Sequence, residues 1–288
     1  MATRRRPPEE LFNPAVRWIL TTILLLSIIV PLCYMIVLSV TPNVEAAAGV
    51  LFPHHLALSN YAKMWAGTGL ARGLVNSVII CGASSIIAVL LGLVGGYVSA
   101  RAKFIGRGAF LTGLLAFQSV PTVMILLPMV IVMAGLQNVL NVAVVGTHWA
   151  MVVAYLTFAL PLVTWFVAAY MDSVPREIDD AARLDGAGSI RVLFRIVLPL
   201  IVPALAVAAV LSFLVGWGDL LIATIISGPD THTVAVTLNN FLATQEGQTL
   251  PQYGTLMAAS LVSALPIIVL YLGLQRFIVA GLTGAAVK

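Results

Sequence analysis

The sequence predicts an all-α, polytopic membrane protein with six transmembrane helices, and three observations carry that expectation. Of its 288 residues, 60% are hydrophobic and only 9% charged, and the mean hydropathy is +1.05. A soluble domain carries about 45–50% apolar and about 25% charged residues, so this chain has too few charges to cover a water-facing surface. Apolar runs of about twenty residues recur along the whole length, each enough to cross a hydrocarbon core of about 30 Å as a helix.

The runs fall at residues 18–40, 74–100, 109–134, 149–170, 202–226 and 255–274. Residues 1–17 then form an inner N-terminal tail, 18–275 the six-helix domain with a long loop at 171–198, and 276–288 a second inner tail. Cationic loops resist translocation and stay on the cytoplasmic side. With the N-terminus inside, only Lys63 and Arg72 of the 15 Lys and Arg fall on the outer side, which sets the orientation. Small residues at Ala46, Ala47, Ala48 and Gly49 resemble a signal-cleavage site, but the preceding apolar run exceeds the core of a signal peptide, so a retained first span is expected.

The net charge of +4 does not indicate a nucleic-acid partner, because the basic residues are not gathered on one soluble face. Cys33 and Cys81 lie inside apolar runs, where a thiol packs as a small hydrophobe. His54, His55, His148 and His232 fall in outer segments without metal-ligand company, so no metal site and no catalytic residue is expected. Pro31, Pro121, Pro128, Pro161, Pro203 and Pro266 lie in or beside the spans, where freed carbonyls need a neighbouring helix or water. Gly92, Gly95 and Gly96 in the second span permit close helix approach.

The loop 171–198 holds nine charges and reads as two short helices joined by a turn. Ser173 is positioned to cap the first, Pro175 fits its opening turn, and Glu177, Asp179 and Asp180 put negative charge at the positive end of its dipole. Gly186 supplies a left-handed stop. Ala181 and Ala182, three and four residues after Ile178, give a small, smooth face. On physics alone that face fits either a groove on another protein or the membrane surface.

Within the fifth span Asp219 is the only acid in any assigned span, so a place on a substrate path is expected of it, with Trp217 as an aromatic surface close by in the chain. The bland reading for Asp219 is that it reaches the outer interface or bonds a neighbouring helix.

Asp180-Ala181-Ala182, then Asp185-Gly186-Ala187, then Leu198-Pro199 and Pro203 resemble the EAA loop of binding-protein-dependent ABC importer permeases. Phe158-Ala159-Leu160-Pro161-Leu162, Trp165, Val174-Pro175-Arg176-Glu177, Asn76-Ser77, the stretch from Tyr97 to Arg101, Trp217-Gly218-Asp219-Leu220 and the tail residues Gln275-Arg276, Val279 and Gly281-Leu282-Thr283 are similar to its carbohydrate, maltose-permease-like branch. The likeness runs from about Asn76 to the C-terminus. Asp180 stands where the family has Glu, Leu193 takes a usual Phe position, and Gly218 replaces a common Asn.

The resemblance implies a type I permease fold and a subunit that forms half of a translocation pathway in the bacterial or archaeal inner membrane. Its partners would be a second permease, a cytoplasmic ATPase dimer, an extracytoplasmic solute-binding protein and the bilayer. Glu177, Asp180, Ala181, Ala182, Asp185, Gly186, Ala187 and Pro199 would belong to the ATPase-coupling loop. The sequence holds no G-x-x-x-x-G-K-[ST] phosphate loop, so ATP and Mg are expected on the partner and no cofactor on this chain. The competing class is an ion- or proton-coupled secondary transporter, which predicts several intramembrane ionisable residues and paired repeats, where this sequence has one acid and no clear repeat.

Overall fold

The computed structural model describes residues 13–286, with side chains to residue 277. Arg4, Arg5, Arg6 and Lys288, four of the cations behind the expected orientation, lie outside the described residues, as do the side chains of Val279, Leu282 and Thr283. In chain order the helices are α1 (Pro14–Ser39), α2 (Asn43–Ala47), α3 (Ser59–Gly67), α4 (Leu70–Arg101), α5 (Arg107–Gln118), α6 (Thr122–Leu140) and α7 (His148–Met171). There follow α8 (Glu177–Leu184), α9 (Ser189–Arg191), a π-helical segment (Val192–Val197), α10 (Leu198–Trp217), α11 (Leu221–Ile226), α12 (Val234–Gln245) and α13 (Tyr253–Ala286). Among the described residues six segments are long and apolar enough to cross a membrane: Pro14–Ser39, Leu70–Arg101, Thr122–Leu140, His148–Met171, Ser189–Trp217 and Tyr253–Phe277.

Two of these differ from the sequence expectation for physical reasons. The third run is two helices, because Pro121 has no N–H to donate and biases Val120 away from helical geometry, so α5 stops at Gln118 and α6 restarts at Thr122. The second short helix of the loop is not separate. Helical backbone runs from Ser189 through the π segment into α10, so Pro199 opens α10 but lies inside the fifth crossing segment. Pro199 cannot donate to the carbonyl of Arg195, and the wider π turn just before it makes room for the proline ring. At the other end of the fifth run, the chain breaks at Gly218 to Leu220 before α11 begins. Asp219 therefore sits in a gap between helices and not inside a continuous span. The last helix continues past residue 275 to Ala286, within the expected inner tail.

The chain divides into two compact units. The first comprises residues 1–67 and 241–262. Here Asn13 opens α1 by accepting from the N–H of Ala15 at 3.0 Å, with Pro14 at a position where a missing N–H costs nothing. Along α1 the apolar side chains are exposed, and Cys33 is among the exposed residues, so its thiol is not a packed core group. The far end of α1 is fixed by Asn60, 1% exposed, which donates to the carbonyls of Ser39 at 3.0 Å and Thr41 at 2.8 Å. Gly254 is required beside it, since a Cβ there would stand 2.5 Å from the Thr41 oxygen. Asn43 donates to Thr255 at 3.3 Å and accepts from its N–H at 3.3 Å. Glu45 accepts from the His54 N–H at 2.9 Å, which holds its carboxyl below the usual carboxylate range.

The second unit comprises residues 68–240 and 263–288. Its core is built from α4, α7 and α10. α4 and α7 run parallel, since Asn76 meets His148 near one end and Arg101 meets Met171 near the other. Gly92 and Gly96 set their approach: a Cβ would fall 2.5 Å from Val163 Cγ1 at the first and 2.6 Å from Val167 Cγ1 at the second. α10 runs the opposite way, held by Ser85, which donates to the Ala209 carbonyl at 2.9 Å and accepts from Ser212 at 2.7 Å. Cys81 is buried in this core as expected of a packing thiol.

Candidate functional site

The loop between α7 and α10 is assembled by arginines. Helix C-termini leave their last carbonyls unpaired and favour positive charge. At the end of α4, the Ser99 carbonyl accepts from Arg107 Nε and the Ala100 carbonyl accepts from Arg176 at 2.7 Å. At the end of α7, the Met171 carbonyl accepts from Arg101 Nη1 at 3.2 Å, and Arg101 Nη2 donates to the Val174 carbonyl at 3.0 Å. Arg107 also grips Asp172 with Nη2 at 2.9 and 3.1 Å. That pair is partly exposed, and such pairs contribute about 0–1 kcal/mol.

A second ion pair is of another kind. Arg101 Nε stands 2.6 Å from Asp179 Oδ2, out of line for a hydrogen bond, and the two side chains are 6% and 5% exposed. Removing one member of a buried pair strands the other charge, at a cost of roughly 3–5 kcal/mol. Asp179 is legible in the sequence only as one of three acids in a helix's first turn. Its burial is not, because it depends on Arg101, far earlier in the chain.

α8 starts at Glu177, with Glu177, Asp179 and Asp180 in its first turn as the dipole favours. Ser173 does not cap it. Its hydroxyl instead donates to the Tyr170 carbonyl at 2.7 Å, closing the end of α7, and Arg176 takes the cap position without a side-chain bond to α8. Gly186 stops the helix at φ +81°. The Gly186 N–H donates to Arg183 at 3.0 Å and the Ala187 N–H to Ala182 at 3.0 Å, the paired bonds of a Schellman stop.

The expected smooth alanine face is split. Ala182, 7% exposed, joins Val174, Val192, Leu193 and Met171 in the core under the loop, with Ile178 packed against it. Ala181 points out with Glu177, Asp180 and Asp185. The cause is geometric: residues four apart share a helix face, so Ile178 and Ala182 turn inward together. Ala182 is therefore not on the surface a partner would meet. Leu184, 89% exposed, is an apolar residue of that surface that no sequence motif marks. Ala187 is half-buried beside the stop.

At the break after α10, Asp219 accepts from the Ala223 N–H at 3.0 Å and the Ile222 N–H at 3.4 Å, so its carboxylate caps α11. It also accepts from the Tyr155 hydroxyl at 3.2 Å. Trp217 is buried and stacks on Phe213 with ring centroids 5.1 Å apart, so one face of the indole is already covered. Two histidines given no role from sequence take part in a network at the Asn76 end of α4. His148 Nε2 lies 2.8 Å from Asn76 Oδ1, while Asn76 donates to the carbonyls of Asp230 at 2.9 Å and His232 at 3.0 Å. Among the described residues no three of His, Cys, Asp and Glu gather as metal ligands would.

Residues 88–284 match the family described as binding-protein-dependent transport system inner membrane component. The chain is 32% identical over 280 residues to the maltodextrin transport system permease protein MdxG of Bacillus subtilis, covering 97% of this chain and 98% of that one. It is 30% identical over 272 residues to the trehalose transport system permease protein SugB of Mycobacterium tuberculosis, covering 94% and 96%. In fold it is similar to a chain of a bacterial ABC transporter involved in the import of the acidic polysaccharide alginate, at a TM-score of 0.75 and 18% identity over 92% of this chain and 98% of that one.

Proposed function

The chain belongs to the family of binding-protein-dependent transport system inner membrane components, and from that premise we propose that it forms half of the translocation pathway of an ATP-driven importer for a carbohydrate or carbohydrate-like solute. It is a multi-pass inner membrane protein and a transport component, not an enzyme. In the proposal an extracytoplasmic binding protein delivers the solute, a second permease completes the path, and a cytoplasmic ATPase dimer carries ATP and Mg. Both termini lie in the cytoplasm. The observation that carries the solute class is the likeness over nearly the whole chain to permeases named for maltodextrin and trehalose.

The coupling surface is the outward face of α8. Glu177, Asp180, Ala181 and Asp185 present small and acidic groups beside the exposed Leu184, while Gly186 and Ala187 close the helix. Pro199 belongs to the opening turn of α10 and fixes how that helix leaves the loop. Ala182 supports the surface from below. Asp219, bonded by the Tyr155 hydroxyl, is assigned to the substrate path at the break together with Trp217, which stacks on Phe213.

Mild-detergent purification of the chain from its own membranes tests this reading, with recovery of an ATPase and a second permease as the expected result. Ala181→Leu, on the outward face, is expected to lower ATPase recovery while the second permease stays bound. A chain recovered alone that moves trehalose or maltodextrin unaided would point to the secondary-transporter class instead.

A further inference from the structure

We propose that the buried Arg101–Asp179 pair is the positioning element that fixes α8 to the end of α4, so that the two helices move as one body when the loop is pushed. The inference rests on the docking reading of α8 given above.

α8 has eight residues, too few to hold its own place in water, and only Asp179 and Ala182 of them are buried, with Ile178 half-buried. Its seat is therefore set by very few contacts. One of them is a charge that reaches across from another helix, between groups almost wholly out of solvent. Arg101 uses its whole guanidinium there: Nε faces Asp179, Nη1 takes the Met171 carbonyl and Nη2 the Val174 carbonyl. One side chain thus ties α8, the end of α7 and the linker between them to α4. Arg176 returns the tie from the linker to the Ala100 carbonyl.

The pair is poorly built for stability alone. Neither Asp179 oxygen nor Arg101 Nε has a hydrogen-bond partner, and well-packed apolar residues in place of a buried ion pair are often as stable or more so. What two apolar residues would not supply is a fixed register between helices, because dispersion contacts slide where a guanidinium pinned by two directed hydrogen bonds, to the Met171 and Val174 carbonyls, holds its charge against Asp179. Further up, Gly92 and Gly96 lock α4 against α7 at backbone distance, so a displacement received at Asp179 is passed to both helices.

The test uses the assembled complex in nanodiscs, in a Cys33→Ser, Cys81→Ala background, with spin labels on the exposed Val98 of α4 and on Arg183 of α8, exposed and outside the coupling residues, introduced as Val98→Cys and Arg183→Cys. Labels measure the α4–α8 separation directly, with and without Mg-ATP. The expected result is one narrow distance distribution in the otherwise unaltered chain, unmoved by Mg-ATP. The apolar double variant Arg101→Met, Asp179→Leu is expected to insert and assemble, yet to give a broadened distribution whose mean shifts on Mg-ATP, while Asp179→Glu restores the narrow one. A Mg-ATP-dependent change of separation in the unaltered chain overturns the proposal, and so does a double variant indistinguishable from it. Absence of an ATPase from the purified complex defeats the docking reading and is seen on a gel beforehand. In that case the distributions without nucleotide still decide: an unbroadened double variant overturns the role of the pair.

Discussion

Asp219 shows how a residue can be found from sequence while its work stays between two readings, a place on a substrate path or a bond to a neighbouring helix. A lone acid in an apolar run marks a site worth inspecting. The structure then gives it three bonds within the protein: two N–H groups opening α11 and the Tyr155 hydroxyl. Asparagine keeps a cap oxygen and nearly the same shape, so Asp219→Asn should leave α11 formed and the complex assembled. Uptake in proteoliposomes is nevertheless expected to fall, because the charge facing the break is gone; unchanged kinetics would leave Asp219 a helix cap only. Gly186 is the other residue with a single-position argument. It sits at φ +81°, and a Cβ added there would meet nothing within 4 Å, so its substitution brings backbone strain and no steric clash. Gly186→Val should cost about 1–2 kcal/mol from the left-handed conformation and misdirect Ala187, read as loss of ATPase recovery with normal insertion. Gly188, at φ −70° and equally open, is the control: Gly188→Ala should be silent.

Between helices, the closest fit in the second unit is α4 on α7. The sequence offers Gly92, Gly95 and Gly96 as ordinary close-packing residues, and that reading holds, because side chains of Val163, Thr164 and Val167 fill the space where each Cβ would go. Gly92→Ala should destabilise the unit by about 1–3 kcal/mol through overpacking. Val163→Ala alone should cost less, and the double substitution should recover part of the loss, since the Val163 Cγ1 at 2.5 Å is the first obstruction and its own Cβ, at 3.2 Å, is the next. Thermal unfolding in detergent measures all three. Less of the backbone's finer course can be read in advance. Pro121 and Pro128 are alike on paper, yet Pro121 separates two helices and Pro128 lies inside one. A proline states that a bond is missing; whether the chain breaks there depends on neighbours that repair it, and those belong to other segments. The π segment before Pro199 is hidden for the same reason.

For the molecule as a whole, what the sequence makes legible is whatever repeats over many residues. Six apolar stretches are countable, and the side on which Arg101, Arg107, Arg176 and Arg183 gather is visible from charge alone. Contacts between distant segments are not, which is why the sequence sets Ala182 on an outward face that its burial denies and leaves Asp179 without its partner. The topology follows from combining the two kinds of information. α4 and α7 run parallel, so the chain between them has to return, and the arginine-rich ends of both helices lie together at the loop that carries α8. By the bias of cationic loops toward the cytoplasm, that end is inside and the Asn76 end, with the 227–233 segment bonded to it, is outside. Single cysteines placed by Val142→Cys and Asp230→Cys, both exposed positions, should react with a membrane-impermeant maleimide on intact cells, provided the outer membrane, where there is one, is made permeable. Ser189→Cys, exposed at the start of α9, should react only after the inner membrane is opened. Labelling of Ser189→Cys without that step, with Val142→Cys and Asp230→Cys protected, would invert the chain, place α8 where no cytoplasmic ATPase reaches it, and remove the basis of the coupling proposal.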